Sequence, residues 1–160
     1  MMAICKGGKM DYREYIYDKF IFKVKKGIYY HKDGCWVEAE GNIATIGVSD
    51  FFQTLNGDVA SVSLYGIDVN IVQDDPLGDM ETMKTSIELT SPVNGKIIEH
   101  NTKVADAAEL VNSDPYGEGW LLKAELKNFE SDKLNLMDSD KYFDYMKARV
   151  DEEGKELGKE

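Results

Sequence analysis

The chain has 160 residues, of which 42% are apolar and 31% charged, enough for one domain with a substantial core. Its formal net charge of −11 argues against nucleic acid as a ligand, because a phosphate backbone is bound by clustered Lys and Arg. No apolar run is long enough to span a membrane and residues 1–8 do not resemble a signal peptide, so we expect a cytoplasmic protein without a membrane partner.

Short strands separated by turn residues dominate the first half of the chain. Residues 1–28 are predicted to form an N-terminal extension, in which alternating apolar residues begin at Phe20–Val24. Ser49 is the expected N-cap of a short helix that ends at Asn56-Gly57. The predicted strands of this half are residues 35–40 and 43–48, which form a hairpin, and residues 58–64 and 67–72.

The second half continues this pattern until a helix closes the chain. Strand-like residues 77–81 and 87–89 flank residues 82–85, and Ser91-Pro92-Val93-Asn94-Gly95 is a strong turn signal. Further strands are predicted at residues 96–99 and 120–126, with short helical turns within 102–111. From Asp138 onward a helix is predicted because apolar residues recur every three or four positions: Tyr142, Tyr145, Met146 and Val150.

Many short strands with turns between them favour a sandwich or barrel over alternating βαβ units. We therefore predict a mostly β domain with short helices at residues 29–130. A C-terminal helix and a charged tail are predicted for residues 131–160.

The chain has few residues that could form a metal site or a catalytic nucleophile. Its two cysteines, Cys5 and Cys35, have no CxxC spacing, and only His31 and His100 accompany them. A structural zinc site needs about four closely spaced ligands, so we expect free thiols and no metal. A nucleophilic pair of Cys35 and His100 is a remaining hypothesis that the spacing does not support.

Lys84 lies at the predicted tip between two strands. A lysine that carries a swinging cofactor must be accessible to a ligase, and the backbone beneath it must be rigid. A tight turn between paired strands meets both needs. Lys84 is therefore the candidate attachment site, with no catalytic residue expected.

Several segments around this lysine resemble the glycine cleavage H protein family. Glu81-Thr82-Met83-Lys84-Thr85-Ser86 is similar to the modification site of that family, in which a Glu precedes the lipoylated lysine by three residues. The Ser91–Gly95 turn follows at the family spacing, and Val111–Leu121 is similar to the family's most recognisable segment. Trp36–Val37 and Ala44–Phe51 resemble its opening hairpin and first helix, so the resemblance covers residues 29–126.

The resemblance implies a lipoyl/biotinyl-type flattened β-barrel, or barrel-sandwich hybrid, with lipoate joined to Lys84 through an amide. Glu81 would help the modifying enzyme to recognise the site. The protein would be a monomeric, non-catalytic carrier that shuttles an aminomethyl intermediate. Its implied partners are a PLP-dependent glycine decarboxylase (P protein), a tetrahydrofolate aminomethyltransferase (T protein), dihydrolipoamide dehydrogenase (L protein) and a lipoyl ligase or transferase.

Some positions depart from the family pattern. Gly34-Cys35 stand where the family usually has His-Glu before the Trp, and Asp79 stands at a usually apolar position. A Pro and two Gly of the family are replaced, at their spacings, by Tyr65, Asp68 and Asp74. These differences concern the cleft beside the arm and do not touch Lys84.

Other functions remain compatible with these residues. An H-like lipoate carrier or relay that serves lipoate transfer or sulfur oxidation would use the same fold and the same lysine. Biotin carriers place Met on both sides of their lysine, and here Met83 precedes Lys84 but Thr85 follows it. An interaction module without a cofactor is the third alternative.

Overall fold

A computed structural model describes residues 12–158, with side chains described for residues 12–152. The strands are β1 Tyr12–Tyr17, β2 Phe20–Lys25, β3 Tyr29–Tyr30, β4 Cys35–Glu40, β5 Ile43–Val48, β6 Val59–Leu64, β7 Asn70–Ile71, β8 Pro76–Thr82, β9 Ser86–Thr90, β10 Gly95–His100 and β11 Leu122–Leu126. The helices are α1 Asp50–Asn56, α2 Thr102–Asp106, α3 Leu110–Ser113, α4 Phe129–Asp132 and α5 Ser139–Gly158, and a 3-10 turn spans Lys133–Asn135. The prediction of a mostly β domain with short helices and a C-terminal helix is confirmed.

Two antiparallel sheets enclose the main core. One has six strands in the order β3-β4-β5-β11-β10-β7, and the other has three in the order β6-β8-β9. The sheets do not join into one closed barrel, but their inward-facing residues belong to the same buried cluster. Both sheets contribute apolar side chains to it because alternate residues on a strand point to opposite faces: Val37, Ile46, Ile71, Leu77, Met80, Leu89, Ile97 and Leu122.

A second cluster of buried side chains, rich in aromatic rings, joins the N-terminal hairpin to helix α5. Strands β1 and β2 pair with each other, and Phe22 and Val24 of β2 are fully buried in this cluster. Tyr142 of α5 stacks on Tyr30, with ring centroids 4.3 Å apart. The apolar face expected for this helix is therefore buried against the sheet and the hairpin.

The predicted strand over residues 67–72 is wrong for most of its length. Asn70–Ile71 form the regular ladder with β10, and Asp68 N and Val69 O are bonded to the backbone of Ile97 in the turn before it. The chain turns back immediately afterwards, with Asp75 N donating to Val72 O at 2.9 Å. Asp68 and Asp74 adopt positive φ angles of 71° and 77°, which interrupt extended backbone. Asp tolerates this left-handed region better than most residues do. The predicted strand over residues 120–126 likewise begins two residues later, at Leu122.

Candidate functional site

The β8–β9 hairpin carries Lys84 at its tip. Glu81 pairs with Ser86, and Thr82 N donates to Thr85 O at 2.8 Å, which closes the turn. Met83 and Lys84 are both exposed, and 77% of the Met83 surface is accessible. The structure thus places the predicted attachment residue on an exposed turn between two paired strands.

Hydrogen bonds hold every backbone N–H of this turn. Met83 N donates over 2.9 Å to the carbonyl oxygen of Asp58, the residue just before the neighbouring strand β6. Lys84 N and Thr85 N both donate to the buried Thr82 hydroxyl, over 3.1 and 3.0 Å. Buried or paired N–H groups restrict a turn to few conformations. The tip is therefore a rigid support for its lysine.

The stem of Lys84 lies along the end of helix α1. Ser49 caps this helix by accepting from Phe52 N, and Gly57 ends it, as expected from the sequence. A Cβ atom at Gly57 would lie 3.1 Å from Cδ and 3.3 Å from Cγ of Lys84, closer than ordinary van der Waals contact. The absence of a side chain at Gly57 therefore allows the lysine to approach α1.

A cleft of about 340 Å³ opens beside the hairpin, between β9, α1, the 32–34 turn and α5. Its apolar wall consists of Phe51, Phe52, Leu55, Ile87 and Tyr142. Charged groups of both signs lie around this wall: Lys32, Asp33, Glu88 and Arg149. Ligand sites typically combine an apolar wall with a few polar groups in this way.

The departure from the family pattern at Gly34-Cys35 shapes the floor of this cleft. Gly34 has a φ of 112°, and a Cβ there would lie 2.1 Å from Cδ1 of Phe52. Phe52 thus occupies the space that any side chain at position 34 would need. Cys35 is 1% exposed, and burial raises the pKa of its thiol to about 12. Cys35 is therefore a small core residue.

The hypothesis of a nucleophile formed by Cys35 and His100 is not supported by these environments. A thiol with a pKa near 12 supplies almost no thiolate at neutral pH. His100 is paired through Nε2 with the carbonyl oxygen of Tyr65 at 2.8 Å. Among the residues with described side chains, no group of three or more His, Cys, Asp or Glu could hold a metal ion. Cys5 lies outside the described residues.

Glu81 lies on the solvent-facing side of the hairpin. Its carboxylate accepts a long hydrogen bond of 3.5 Å from the Ser61 hydroxyl. Asp79 lies on the same face and directly opposite Glu88 of β9, and all three carboxylates are exposed. An acidic residue at position 79 is tolerated because its side chain points away from the core. The exposed face of the hairpin therefore carries three carboxylates, of which only Glu81 was singled out from the sequence as a site residue.

A buried histidine supports the cleft and was not found as a site residue from the sequence. His31 donates from Nε2 to Asp74 over 2.7 Å, and its Nδ1 accepts from Asp33 N over 2.9 Å. This pair joins the turn at residues 32–34, which lines the cleft, to the loop that precedes β8. Asp74 N donates in turn to Ser91 O. The only sequence signal was the Asp at a position where the related family has Gly.

These features fit a covalently attached arm. An accessible lysine on a rigid turn is what a ligase requires, and an apolar cleft next to the attachment point can shelter a flexible acyl chain. A mostly β domain with this arrangement defines a cofactor-carrier domain of the lipoyl/biotinyl type.

Comparison with known proteins narrows this class to one family. A family model described as glycine cleavage H-protein matches residues 28–149. A glycine cleavage system H protein from Brevibacillus brevis is 45% identical over 118 residues, which cover 73% of this chain and 92% of the relative. A probable glycine cleavage system H protein from Pyrococcus horikoshii is 38% identical over 128 residues, covering 79% and 95%. The crystal structure of the H protein from Mycobacterium marinum matches with a TM-score of 0.62 at 25% identity, covering 72% of this chain and 92% of that one.

The chain belongs to the glycine cleavage H-protein family, the lipoyl carriers of the glycine cleavage system. The prediction of a flattened barrel-sandwich is confirmed by the match to the mycobacterial structure. As a member of this family the protein is a carrier component that works with the other enzymes of the system. Within the described part of the chain, no helix is long and apolar enough to cross a membrane.

Proposed function

We propose that this protein is a cytoplasmic, monomeric carrier that bears lipoate on Lys84 and has no catalytic activity of its own. The observation that carries the proposal is the position of Lys84, exposed at the tip of a hairpin in which the N–H groups of the turn residues 82–85 are all hydrogen-bonded. When attached, lipoate would supply a disulfide whose cleavage lets one sulfur take up the one-carbon unit derived from glycine. The protein positions this group, and the chemistry belongs to cofactors and partner enzymes.

The proposed partners follow from the family. They are the PLP-dependent glycine decarboxylase, the tetrahydrofolate aminomethyltransferase, dihydrolipoamide dehydrogenase and the lipoyl ligase or transferase that acylates Lys84. Tethering keeps the carried group at a high effective concentration near each partner site. Glu81, exposed three residues before the lysine, is proposed to help the modifying enzyme recognise the hairpin.

The cleft beside the hairpin is proposed to receive the arm between visits to partners. Its volume of about 340 Å³ lies at the lower end of the 300–1,000 Å³ typical of small-molecule sites. Ile87 and Glu88 of β9 line it only a few residues after Lys84, and Leu55 and Asn56 line it just before Gly57, on which the lysine stem rests. Burial of the acyl chain against Phe52 and Leu55 would protect it from water and solutes.

The proposed organisation keeps residues 29–130 as the carrier domain, with an extension at 1–28 and a C-terminal segment at 131–160. Two contacts support a common role for the two additions. Tyr15 of β1 packs edge-on against Phe143 of α5, and Arg13 lies 3.9 Å above the same ring. The hairpin and the helix therefore brace each other on one side of the carrier domain.

A lipoate relay for another enzyme system is the second candidate function. The observation that favours it is the floor of the cleft, where Gly34 and Cys35 replace the His-Glu pair expected from the family. The Phe52 ring fills the space next to Gly34, and Cys35 is buried. A relay needs the same acylated lysine. It does not need a cleft that accommodates the one-carbon adduct.

The test is the glycine exchange reaction with purified decarboxylase and lipoylated carrier. Lys84→Arg keeps an exposed cation but cannot form the amide, so we expect a folded protein with no exchange. Lys127→Arg, a change at an exposed lysine outside the hairpin, is the matched control and should retain wild-type exchange. Exchange supported by Lys84→Arg would refute the carrier assignment. Lipoyl transfer to another lipoyl domain without glycine exchange would favour the relay.

A further inference from the structure

Thr82 is the buried residue of the turn that carries Lys84, and its hydroxyl takes part in three hydrogen bonds. The residue is 7% exposed. Its Oγ1 accepts from Lys84 N at 3.1 Å and from Thr85 N at 3.0 Å, and it donates to Thr85 O at 3.1 Å. A hydroxyl has one donor and two acceptor sites, so all of its bonding capacity is used.

These bonds act on the residue that carries the cofactor and on the one that follows it. The N–H of Lys84 donates to the Thr82 hydroxyl, whereas the N–H of Met83 donates separately to Asp58 O. The Thr82 hydroxyl therefore controls the orientation of the Lys84 Cα–Cβ bond. That orientation places the lysine stem along Gly57, the residue that follows Leu55 and Asn56 of the cleft wall.

We propose that Thr82 is a positioning residue for Lys84, whose buried hydroxyl fixes the turn in the conformation that the acylating enzyme recognises. The proposal rests on the function proposed above, because it requires Lys84 to be acylated. Thr82 does not touch the reacting amine. It acts through the backbone N–H groups of Lys84 and Thr85, by reducing the number of conformations in which the lysine is presented.

The turn offers a matched pair of substitutions for the test. Thr82→Val replaces the hydroxyl by a methyl group of similar size and removes all three bonds. Thr85→Val makes the same change on the other side of Lys84, where the exposed hydroxyl forms only a long bond of 3.4 Å to Ser86 O. With a purified lipoate ligase, we expect Thr82→Val to lower kcat/KM for Lys84 acylation about tenfold, since losing such bonds is worth roughly one factor of ten. Thr85→Val should change it less than twofold.

Hydrogen exchange provides a readout that separates positioning from general stability. In Thr82→Val, amide protection should fall at Lys84 and Thr85 but remain at Met83, which keeps its bond to Asp58 O. Thr82→Ser and Thr82→Ala form a second pair in case the valine variant does not fold. The serine variant should be acylated at the wild-type rate and the alanine variant should be slowed.

The outcomes distinguish the two proposals. A wild-type protein that takes no lipoate from the ligase contradicts the proposed function and with it the positioning role. Wild-type acylation matched by an equally fast Thr82→Val contradicts the positioning role alone. Equal slowing of Thr82→Ser and Thr82→Ala assigns the effect to packing of the methyl group and also overturns it.

Discussion

The close approach of Gly34 to the Phe52 ring is the contact that most clearly distinguishes this cleft from the family pattern. A double-mutant cycle can test whether the two positions compete for the same space. In Gly34→Ala, the new Cβ would begin 2.1 Å from Phe52 Cδ1, so the ring or the turn must move. Overpacking of this kind costs about 1–3 kcal/mol. A non-glycine residue at a φ of 112° adds roughly 1–2 kcal/mol, because Cβ clashes with the backbone there. The free energy of unfolding should therefore fall by about 2–5 kcal/mol.

Only the overpacking part depends on Phe52. Phe52→Ala should cost about 3–5 kcal/mol alone, as expected for a buried phenylalanine. Combining it with Gly34→Ala should give a loss smaller than the sum by about 1–3 kcal/mol, because the clash disappears. The control is Gly41→Ala, at a φ of 65° with no atom within 4 Å of the new Cβ, which measures backbone strain without a clash.

Urea unfolding of the four proteins in the cycle, followed by circular dichroism, gives these free energies. Additive losses for Gly34→Ala and Phe52→Ala would refute the reasoning, since they would show that the two residues do not compete for one space. Coupling between Gly41→Ala and Phe52→Ala would refute it as well.

Three further substitutions test separate parts of the structure. The raised pKa of Cys35 keeps its thiol protonated in the native protein at pH values above 9.0, where the thiol of the unfolded protein loses its proton. The free energy of unfolding of the wild type should therefore fall more steeply than that of Cys35→Ala as the pH rises beyond 9. Native Cys35 should also resist alkylation at neutral pH, and rapid labelling of this residue would contradict its burial. Tyr142→Phe removes the buried 2.7 Å bond to Ser49 and should lower the free energy of unfolding by about 1–3 kcal/mol in urea titrations, whereas an unchanged midpoint would show that the bond contributes nothing. Asp68→Gly relieves a φ of 71° at an exposed site and should raise the thermal midpoint slightly; a lower midpoint would contradict the strain assigned there.

The elements that the sequence predicted well are those with local causes. Ser49 caps α1, Gly57 ends it, and the residues on either side of Lys84 alternate as strands must. The predicted strand at 67–72 was wrong because its apolar residues suggested extended backbone, whereas the chain turns within and just after this segment. Asp68 and Asp74 turn the chain at positive φ, and nothing in their composition distinguishes such an Asp from one in a solvated strand.

The parts of the site that were missed depend on contacts between distant segments. His31 and Asp74 are 43 positions apart, and their pairing becomes visible only when the 32–34 turn meets the loop before β8. Tyr116 is buried in the aromatic cluster and Trp120 packs half-buried against it, which the order of residues in the 114–120 loop does not reveal. Thr82 is one of several hydroxyl residues near Lys84, and only the fold shows that its side chain points inward.

The central claim is that Lys84 is the residue to which lipoate is attached. The most direct measurement is the intact mass of wild type and Lys84→Arg after incubation with lipoate ligase, lipoate and ATP, followed by peptide mapping of the wild type. We predict one lipoyl increment on wild type, located at Lys84, and none on the variant. An unmodified wild type, or an increment that persists in Lys84→Arg, would contradict the account.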